Sequence, residues 1–408
     1  MVSSNALEAQ IIASAEALAP DLVELRRSIH AEPELGLHLP ATQRRVLEAL
    51  SGLDLEISEG RSLSSVTAVL RGEKPGPTVL LRADMDALPI TEAVEVPYRS
   101  TNGAMHACGH DLHVAGLVGA ARLLAEHRSE LAGNVILMFQ PGEEGHGGAR
   151  LMIDEGVLDA AGGRPVAAYA IHVGNAPRGI FLTRPGTVTA SSTHLTIDLE
   201  GHGGHGSRPH ETLDPVPIAA EIVLALQSYT ARRFDSFDPV VISVTNLTAG
   251  TGADNVIPGS AQLTGTVRTV DPNTLSRIEE ELPRLVEGIA AAHGLVATVA
   301  LDTGYPSVVN DEATALRALE TLRHAFGPRV VEVPRPTMGA EDFSYVSQQV
   351  PTAMILLGAA PTDEAAPNHS PDAAFDDSVL GDQAAALALL ALDALTVSSR
   401  DGSETEHP

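Results

Sequence analysis

The stretch VILMFQPGEEG, residues 135–145, places a short apolar run directly before a turn that carries two glutamates. A continuous apolar run ended by Pro and Gly is typical of a strand buried on both faces of a sheet. Two further runs have the same pattern, because residues 78–81 precede RADMD and residues 166–171 precede His172. Open α/β sheets bind ligands at the carboxyl ends of their strands. The three polar clusters are therefore candidates for a functional site.

Helical patterns alternate with these strands. Residues 6–31 and 113–127 are predicted helices, and Asp111 is predicted to cap the second of them. A strand at 353–357 and a helix at 383–395 resume the pattern near the end of the chain. Strand–helix alternation predicts an α/β domain with a mainly parallel sheet.

The middle third of the chain alternates polar and apolar residues, as strands with one open face do. Its predicted elements are strand 195–199, helix 217–230, strands 240–247 and 262–270, helix 275–293 and strand 295–301. This β-α-β-β-α-β order is that of a ferredoxin-like unit. We therefore predict one discontinuous domain over residues 1–184 and 301–397, an inserted domain over 185–300, and a flexible tail over 398–408.

The composition excludes some partners and indicates a compartment. The 26 basic and 53 acidic residues give a net charge of −27, which repels nucleic acid and anionic membranes. One cysteine cannot form an internal disulfide, and this suits a reducing cytoplasm. Residues 1–19 lack a basic secretory n-region, and Asp393 interrupts the apolar stretch 384–397 before it reaches the length of a membrane span. We expect a cytoplasmic protein that binds neither nucleic acid nor a membrane.

The one cysteine, Cys108, lies in MHACGHD between His106 and His110. An isolated free cysteine is most often a small buried hydrophobe. The flanking histidines and the later pair Glu143-Glu144 favour a metal site instead, since thiolate, imidazole and carboxylate bind zinc and its first-row neighbours. The alternative for the glutamate pair is a solvated loop, although its place directly after an apolar strand argues against that.

Two further histidines are ambiguous when each is taken alone. His172 follows the apolar run VAAYAI and is equally compatible with a core histidine that has found its hydrogen bonds. His369 lies in the Pro-rich segment PNHSP, where a surface turn is the simpler interpretation. Both become candidate ligands only in combination with the other motifs.

Taken together, these motifs resemble a known enzyme family over nearly the whole chain. They are, in order, LRRSIHAEPELG, RADMDALP, MHACGHD, FQPGEEG, AIHV, GGHGSRPH, NVIP, MGAEDFS and PNHSP. The chain is similar to the aminoacylase, hippurate hydrolase and auxin-amino-acid-conjugate hydrolase branch of the dinuclear metallopeptidases. That family also includes carboxypeptidase G and the succinyl-diaminopimelate desuccinylases.

The resemblance implies a role for each site residue. Cys108 would bridge two divalent metal ions (Zn, Mn, Co or Ni) in each subunit. His110 and His172 would complete the ligands of one ion, and Glu144 and His369 those of the other. Glu143 would act as the general base.

The resemblance also implies the parts around the metals. Asp86 would hold a ligand in position, whereas Asp84 replaces the histidine of the wider family's His-x-Asp pair and is left without a role. The 185–300 insert would be a lid and dimerisation domain whose His205 stabilises the oxyanion in the neighbouring subunit. Asn255 and Arg268 would bind the substrate carboxylate. The expected assembly is a homodimer or a higher homo-oligomer.

The function implied is a metal-dependent amidohydrolase that splits small-molecule N-acyl amino acids into a carboxylic acid and a free amino acid. Three alternatives remain open. They are a dipeptidase or carboxypeptidase on the same scaffold, a non-catalytic metal-dependent binding protein, and a redox or metal sensor that uses Cys108. Glu143 argues against the binding protein, because binding alone needs no base.

Overall fold

The computed structural model describes residues 4–250 and 252–401, in which helices and strands alternate. The helices are α1 Ser4–His30, α2 Pro40–Leu50, α3 His110–Glu126, α4 Gly148–Asp154, α5 Pro215–Arg233, α6 Pro272–Ala292, α7 Glu312–Phe326, α8 Ser344–Ser347 and α9 Leu380–Asp401. The strands are β1 Glu56–Glu59, β2 Val66–Arg71, β3 Lys74–Asp84, β4 Ala132–Gln140, β5 Pro165–Pro177, β6 Phe181–Thr183, β7 Gly186–Thr187, β8 Ser192–Glu200, β9 Gly204–His205, β10 Val240–Ala249, β11 Val256–Ile257, β12 Ser260–Thr269, β13 Val296–Tyr305, β14 Val309–Asn310, β15 Val330–Glu332 and β16 Thr352–Ala360.

The chain divides into two compact units. The first is built from Met1–Val188, Val309–Arg335 and Asp342–Pro408, and the second from Thr189–Val308 and Pro336–Glu341. The second unit thus ends at Val308 rather than at residue 300, where the predicted insert ends, and it also includes the later segment Pro336–Glu341.

The first unit contains an eight-stranded sheet in the order β1-β2-β4-β3-β5-β16-β6-β15. The four central strands, β4, β3, β5 and β16, are parallel, and their long buried runs show that both faces are covered. The strands β1 and β2 add antiparallel pairs at one side, and β6 pairs antiparallel with β16 at the other. The α/β prediction is confirmed, with a mixed sheet whose centre is parallel.

Helix α9 lies in the core of the first unit, where it packs against α1, α3 and β3. The segment Asp377–Thr396 is long and apolar enough to cross a membrane, with a mean hydropathy of 1.5, so the prediction that this stretch is too short was wrong. Because 83% of the segment is buried inside the protein, its apolar character is explained by the core. Asp393, which interrupts the apolar stretch 384–397, is only partly buried and lies near the positive charge of Arg317.

The predicted tail begins as helix, since α9 continues through residues 398–401. The first helix breaker after Leu380 and Gly381 is Gly402, which explains why the helix passes the predicted boundary. Residues 402–408 lie outside the described part of the chain.

The second unit contains a four-stranded antiparallel sheet in the order β10-β12-β8-β13. This is the order of a ferredoxin-like unit, as the middle third predicts. Helices α5 and α6 supply Ile222, Leu226, Ile278 and Leu282 to a separate core against one face of the sheet. Alternate residues of β8 and β12 face away from that core, so the other face carries the polar side chains.

Candidate metal centre

The carboxyl ends of β3, β4 and β5 bring the predicted polar clusters of the first unit together. Asp84 ends β3, and Glu143 and Glu144 follow β4 by three and four residues. His172 lies within β5 rather than at its end, because that strand continues to Pro177. The neighbouring parallel strands place these side chains at one edge of the sheet.

The MHACGHD segment makes a tight turn that aims Cys108 and His110 at the same place. Gly109 adopts a left-handed φ of +80°, and a Cβ at this position would overlap the side chain of Val173. Helix α3 begins at His110, so the prediction that Asp111 caps it was wrong. Asp111 is instead buried within the first turn, where it binds Arg26 and His30 of α1.

Three histidines present their Nε2 atoms towards the Cys108 sulfur. The Sγ atom lies 3.2 Å from Nε2 of His369 and 3.5 Å from Nε2 of His172. Cys108, His110 and His172 form one group of potential ligand atoms, all within 4.8 Å of one another. Cys108, Glu144 and His369 form a second such group. The structure therefore brings all five predicted ligands together, and Cys108 is common to both groups.

This donor set suits divalent metal ions. The Nδ1 atoms of His110 and His172 lie 2.8 and 2.7 Å from the carbonyl oxygens of Asp86 and Val173. Because a carbonyl only accepts, Nδ1 must carry a proton in each ring, so Nε2 is the atom that each ring, when neutral, would offer to a metal ion. The His110 Nε2 atom is buried and has no hydrogen-bond partner among the described residues. A buried acceptor of this kind is what a metal ligand requires.

The electrostatics of the cluster also favour a cation. Burial opposes ionisation of Cys108, but the charge of His172 and the nearby side chains of His110, His172 and His369 outweigh it and hold the thiol pKa well below its usual range. Hydrogen bonds to Cys108 and Glu144 raise the pKa of His369 to about 10, and the bond to Cys108 makes the larger contribution. Burial raises the pKa of Glu144. The cluster thus stabilises both a thiolate and positive charge beside it.

Asp86 organises the glutamate turn. Its carboxylate accepts hydrogen bonds from the backbone N–H groups of Glu143, at 2.9 Å, and Glu144, at 3.0 Å. Its carbonyl oxygen accepts the hydrogen bond from His110. Glu143 is buried, and its carboxylate lies within 4.8 Å of potential ligand atoms of His110 and Glu144. One residue thereby fixes a histidine and both glutamates.

The PNHSP segment reaches the cluster through an unusual backbone conformation. His369 has a φ of +67°, and it is the one non-glycine residue with positive φ in the described parts of the chain. Its backbone N–H donates to the carbonyl of Ala107 at 2.9 Å, which ties this segment to the cysteine turn. Strained backbone of this kind costs about 1–3 kcal/mol and is concentrated at functional sites.

The three remaining predicted residues lie in the second unit. His205 is exposed on β9, where its Nδ1 atom accepts a hydrogen bond from the Ser207 N–H at 3.1 Å. Asn255 is also exposed. It lies next to the His205 segment, since its backbone carbonyl accepts a hydrogen bond from the Gly206 N–H at 2.7 Å. Arg268 lies on the open face of β12 and donates to the Thr266 hydroxyl. No carboxylate pairs with Arg268 over residues 4–250 and 252–401.

Four residues near the centre were missed by the sequence analysis. Asn368 Nδ2 lies 3.6 Å from the Cys108 sulfur, and His113 binds Asp84. Arg82 joins Asp84 to Asp342. The available signals were the motifs RADMD, MHACGHD, MGAEDFS and PNHSP, which contain or adjoin these residues, but contacts between distant segments cannot be read from a motif.

Most of the chain matches a known protein family and its members. Residues 80–393 match the model of Peptidase family M20/M25/M40. The chain is 40% identical over 379 residues to thermostable carboxypeptidase 2 of Saccharolobus solfataricus, covering 91% of this chain and 94% of that protein. It is 35% identical over 362 residues to N-acetylcysteine deacetylase of Bacillus subtilis, covering 88% and 93%.

A solved structure supports the same family assignment. The crystal structure of a Bacillus subtilis dinuclear metal-binding peptidase of the M20 family superposes with a TM-score of 0.82 at 32% identity, covering 93% of this chain and 99% of that one. The donor set described above accords with the divalent metal ions of such enzymes. The chain therefore belongs to Peptidase family M20/M25/M40 and is a hydrolytic enzyme of that family.

Proposed function

We propose that this protein is a two-metal amidohydrolase that cleaves N-acyl amino acids into a carboxylic acid and a free amino acid. The observation that carries the proposal is a pair of three-residue ligand groups that share Cys108 and lie beside the buried Glu143. In this proposal His110 and His172 complete one ion's ligands, and Glu144 and His369 complete the other's. The native ion is Zn, Mn, Co or Ni, all of which accept such ligands.

The chain's own residues have defined tasks in the reaction. When bound, the two ions supply Lewis acidity and lower the pKa of water. Glu143, fixed through its backbone N–H by Asp86, takes a proton from the attacking water and returns it to the leaving amine. Glu144 has a different task, because its carboxylate lies 3.2 Å from His369 Nε2, in the second ligand group.

Recognition is assigned to the second unit. Arg268 has no carboxylate partner among the described residues, and a guanidinium suits the carboxylate of an amino-acid leaving group. Asn255 would assist it, and His205 would donate a hydrogen bond to the developing oxyanion of a neighbouring subunit in a homodimer or a higher oligomer. The exposure of His205 and Asn255 is compatible with contacts to a substrate or a second chain.

Exopeptidase action is the second candidate, favoured by the 40% identity to a carboxypeptidase. Both reactions release an amino acid with a free carboxylate, so they share a leaving group and the residue that would recognise it. They differ at the acyl side, where a dipeptide carries a free amine. We favour the N-acyl substrates because the deacetylase relative is named for this class.

The cellular setting is also a proposal. A single free thiol among the metal-binding residues suits a reducing cytoplasm. The net charge of −27 argues against partners that are nucleic acids or anionic membranes.

The experiment is a substrate panel with the metal-loaded protein. Acetyl, benzoyl and indoleacetyl amino acids are compared with unblocked dipeptides and with the same dipeptides acetylated at the amine, and the released amine is measured. The proposal predicts hydrolysis of the acylated members and little of the unblocked ones. Preference for unblocked dipeptides would establish the exopeptidase. Metal binding without any turnover would establish a binding protein or, if oxidation of Cys108 releases the metal, a sensor.

A further inference from the structure

His113 packs against both of the histidines that are assigned to one metal ion. It follows His110 by three residues on α3, a spacing that puts both side chains on the same helix face. The ring centroid of His113 is 5.3 Å from that of His110 and 4.6 Å from that of His172. The rings of His110 and His172 lie 6.0 Å apart, so the three rings form a compact cluster, and His113 within it is only 2% exposed.

Both ring nitrogens of His113 are engaged by the protein. Nε2 accepts a hydrogen bond from the backbone N–H of Val173 at 2.8 Å. Nδ1 must then carry the proton, which it donates to the Asp84 carboxylate. Asp84, His110 and His113 are close enough to hold an ion. His113 nevertheless has no lone pair to offer, since each nitrogen already has a partner.

Asp84 is itself held in place from the opposite side. Arg82 donates to Asp84 at 2.7 Å and to Asp342 at 2.9 Å, and all three side chains are buried. The buried negative charge of Asp84 is therefore balanced, and its orientation is fixed. The connection runs from β3 through Asp84 to α3, and through His113 to the backbone of β5 next to His172.

We propose that Asp84 and His113 are positioning residues that keep His110 and His172 at the separation needed to bind a metal ion. The His113 ring packs against both ligand rings and supports their orientation, and its bond to the Val173 N–H fixes the strand that carries His172. The proposal rests on the ligand assignment of the proposed function. It gives a role to Asp84, the residue that stands where the wider family has a histidine.

The test replaces His113 with Phe, which keeps a ring of similar size and removes both hydrogen bonds. His106→Phe is the matched control, because His106 is equally buried in the same segment and neither of its ring nitrogens has a hydrogen-bond partner among the described residues. Zinc affinity is measured by competition with a chromophoric chelator, together with the visible spectrum of the cobalt-substituted protein and the unfolding midpoint of the apo-protein.

The account predicts that His113→Phe weakens zinc binding about 10- to 100-fold and alters the cobalt spectrum, whereas His106→Phe changes neither. The apo midpoint falls further in His113→Phe, because Asp84 and the Val173 N–H each lose a buried hydrogen-bond partner. His113→Gln retains a donor and an acceptor and should recover part of the affinity. If His113→Phe does not fold, Asp84→Asn replaces it, since this change keeps the shape and removes only the charge.

Two results would overturn the proposal. Zinc affinity within twofold of the unmodified protein, with only the apo midpoint lowered, would make His113 a packing residue. Loss of a whole metal equivalent in the cobalt protein would make it a ligand. Failure of the proposed function looks different, because the unmodified protein would then bind no zinc, or Cys108→Ala would bind it equally well.

Discussion

The candidate site residues of the two units differ in how far their polar side chains are buried. In the first unit, Asp84, His110 and His113 are at most 2% exposed, and each is held by neighbouring strands or helices. In the second unit, His205 and Asn255 are exposed, and Arg268 lies on the open face of a sheet. Metal binding and proton transfer need fixed groups in a dry setting, whereas recognition needs groups that a ligand can reach. The sheet with two covered faces provides the first, and the sheet with one open face provides the second.

Two charged pairs, one from each unit, show the same difference in burial. Arg26 and Asp111 join α1 to the start of α3 at 2.7 Å, with side-chain exposures of 2% and 0%. Arg284 and Glu280 form a pair of the same length on α6, with exposures of 65% and 73%. Water screens the second pair and not the first, so the two should differ widely in their contribution to stability.

The largest expected effect tests this difference in burial. Asp111→Asn removes the carboxylate that pairs with both Arg26 and His30, although Arg26 keeps its pair with Asp377, and it should lower the free energy of unfolding by about 3–5 kcal/mol. Glu280→Gln is the control and should cost no more than about 0.5 kcal/mol. Urea unfolding of the apo-proteins, followed by circular dichroism because the chain has no Trp, measures both. Equal losses would contradict the distinction between the buried and the exposed pair.

The next effect concerns the exposed histidine. His205→Ala should lower kcat about 10²–10³-fold and leave the unfolding midpoint unchanged, since an exposed side chain contributes little to packing. If His205 acts on the neighbouring subunit, mixing this variant with inactive Glu143→Ala restores up to about a quarter of the activity after random exchange of subunits. Exchange without recovery of activity would show that His205 does not act across subunits.

The smallest of the three effects concerns the open sheet face. Arg268→Ala should raise KM for acyl amino acids by the equivalent of about 1.5–3 kcal/mol, because one charge-assisted hydrogen bond is lost. The corresponding amino-acid amides lack the carboxylate and should be little affected. Steady-state kinetics on matched acid and amide substrates decide the point. An equal rise in KM for both substrates would remove Arg268 from carboxylate recognition.

Much of the first unit could be predicted because its signals are local. The apolar runs of β3, β4 and β5 and the residues that follow them identify the parallel centre of the sheet and the cluster at its edge. Strand β1 went unpredicted because it is exposed throughout and has no apolar alternation. Strand β2 also went unpredicted, although its residues are almost all buried. The ferredoxin-like order of the second unit was predictable because its strands alternate.

The contacts that orient the ligands were not predictable, since they join distant segments. Asp111 has the residue type and position of a helix cap, yet it binds α1, whose residue His30 lies 81 positions earlier. Asp84 finds His113 only once β3 and α3 are packed together. The local sequence does not indicate the left-handed conformation of His369 either, because the energetic cost of this conformation is offset by contacts that form only in the folded chain.

The central claim is that Cys108 belongs to both ligand groups while Glu143 belongs to neither. The most direct measurement is the metal content of Cys108→Ala and Glu143→Ala after loading and gel filtration, by elemental analysis. The account predicts that Glu143→Ala retains two equivalents per chain and loses activity about 10²–10⁴-fold, whereas Cys108→Ala loses both metal and activity. Two full equivalents in Cys108→Ala would contradict the shared thiolate, and metal loss in Glu143→Ala would contradict the general base.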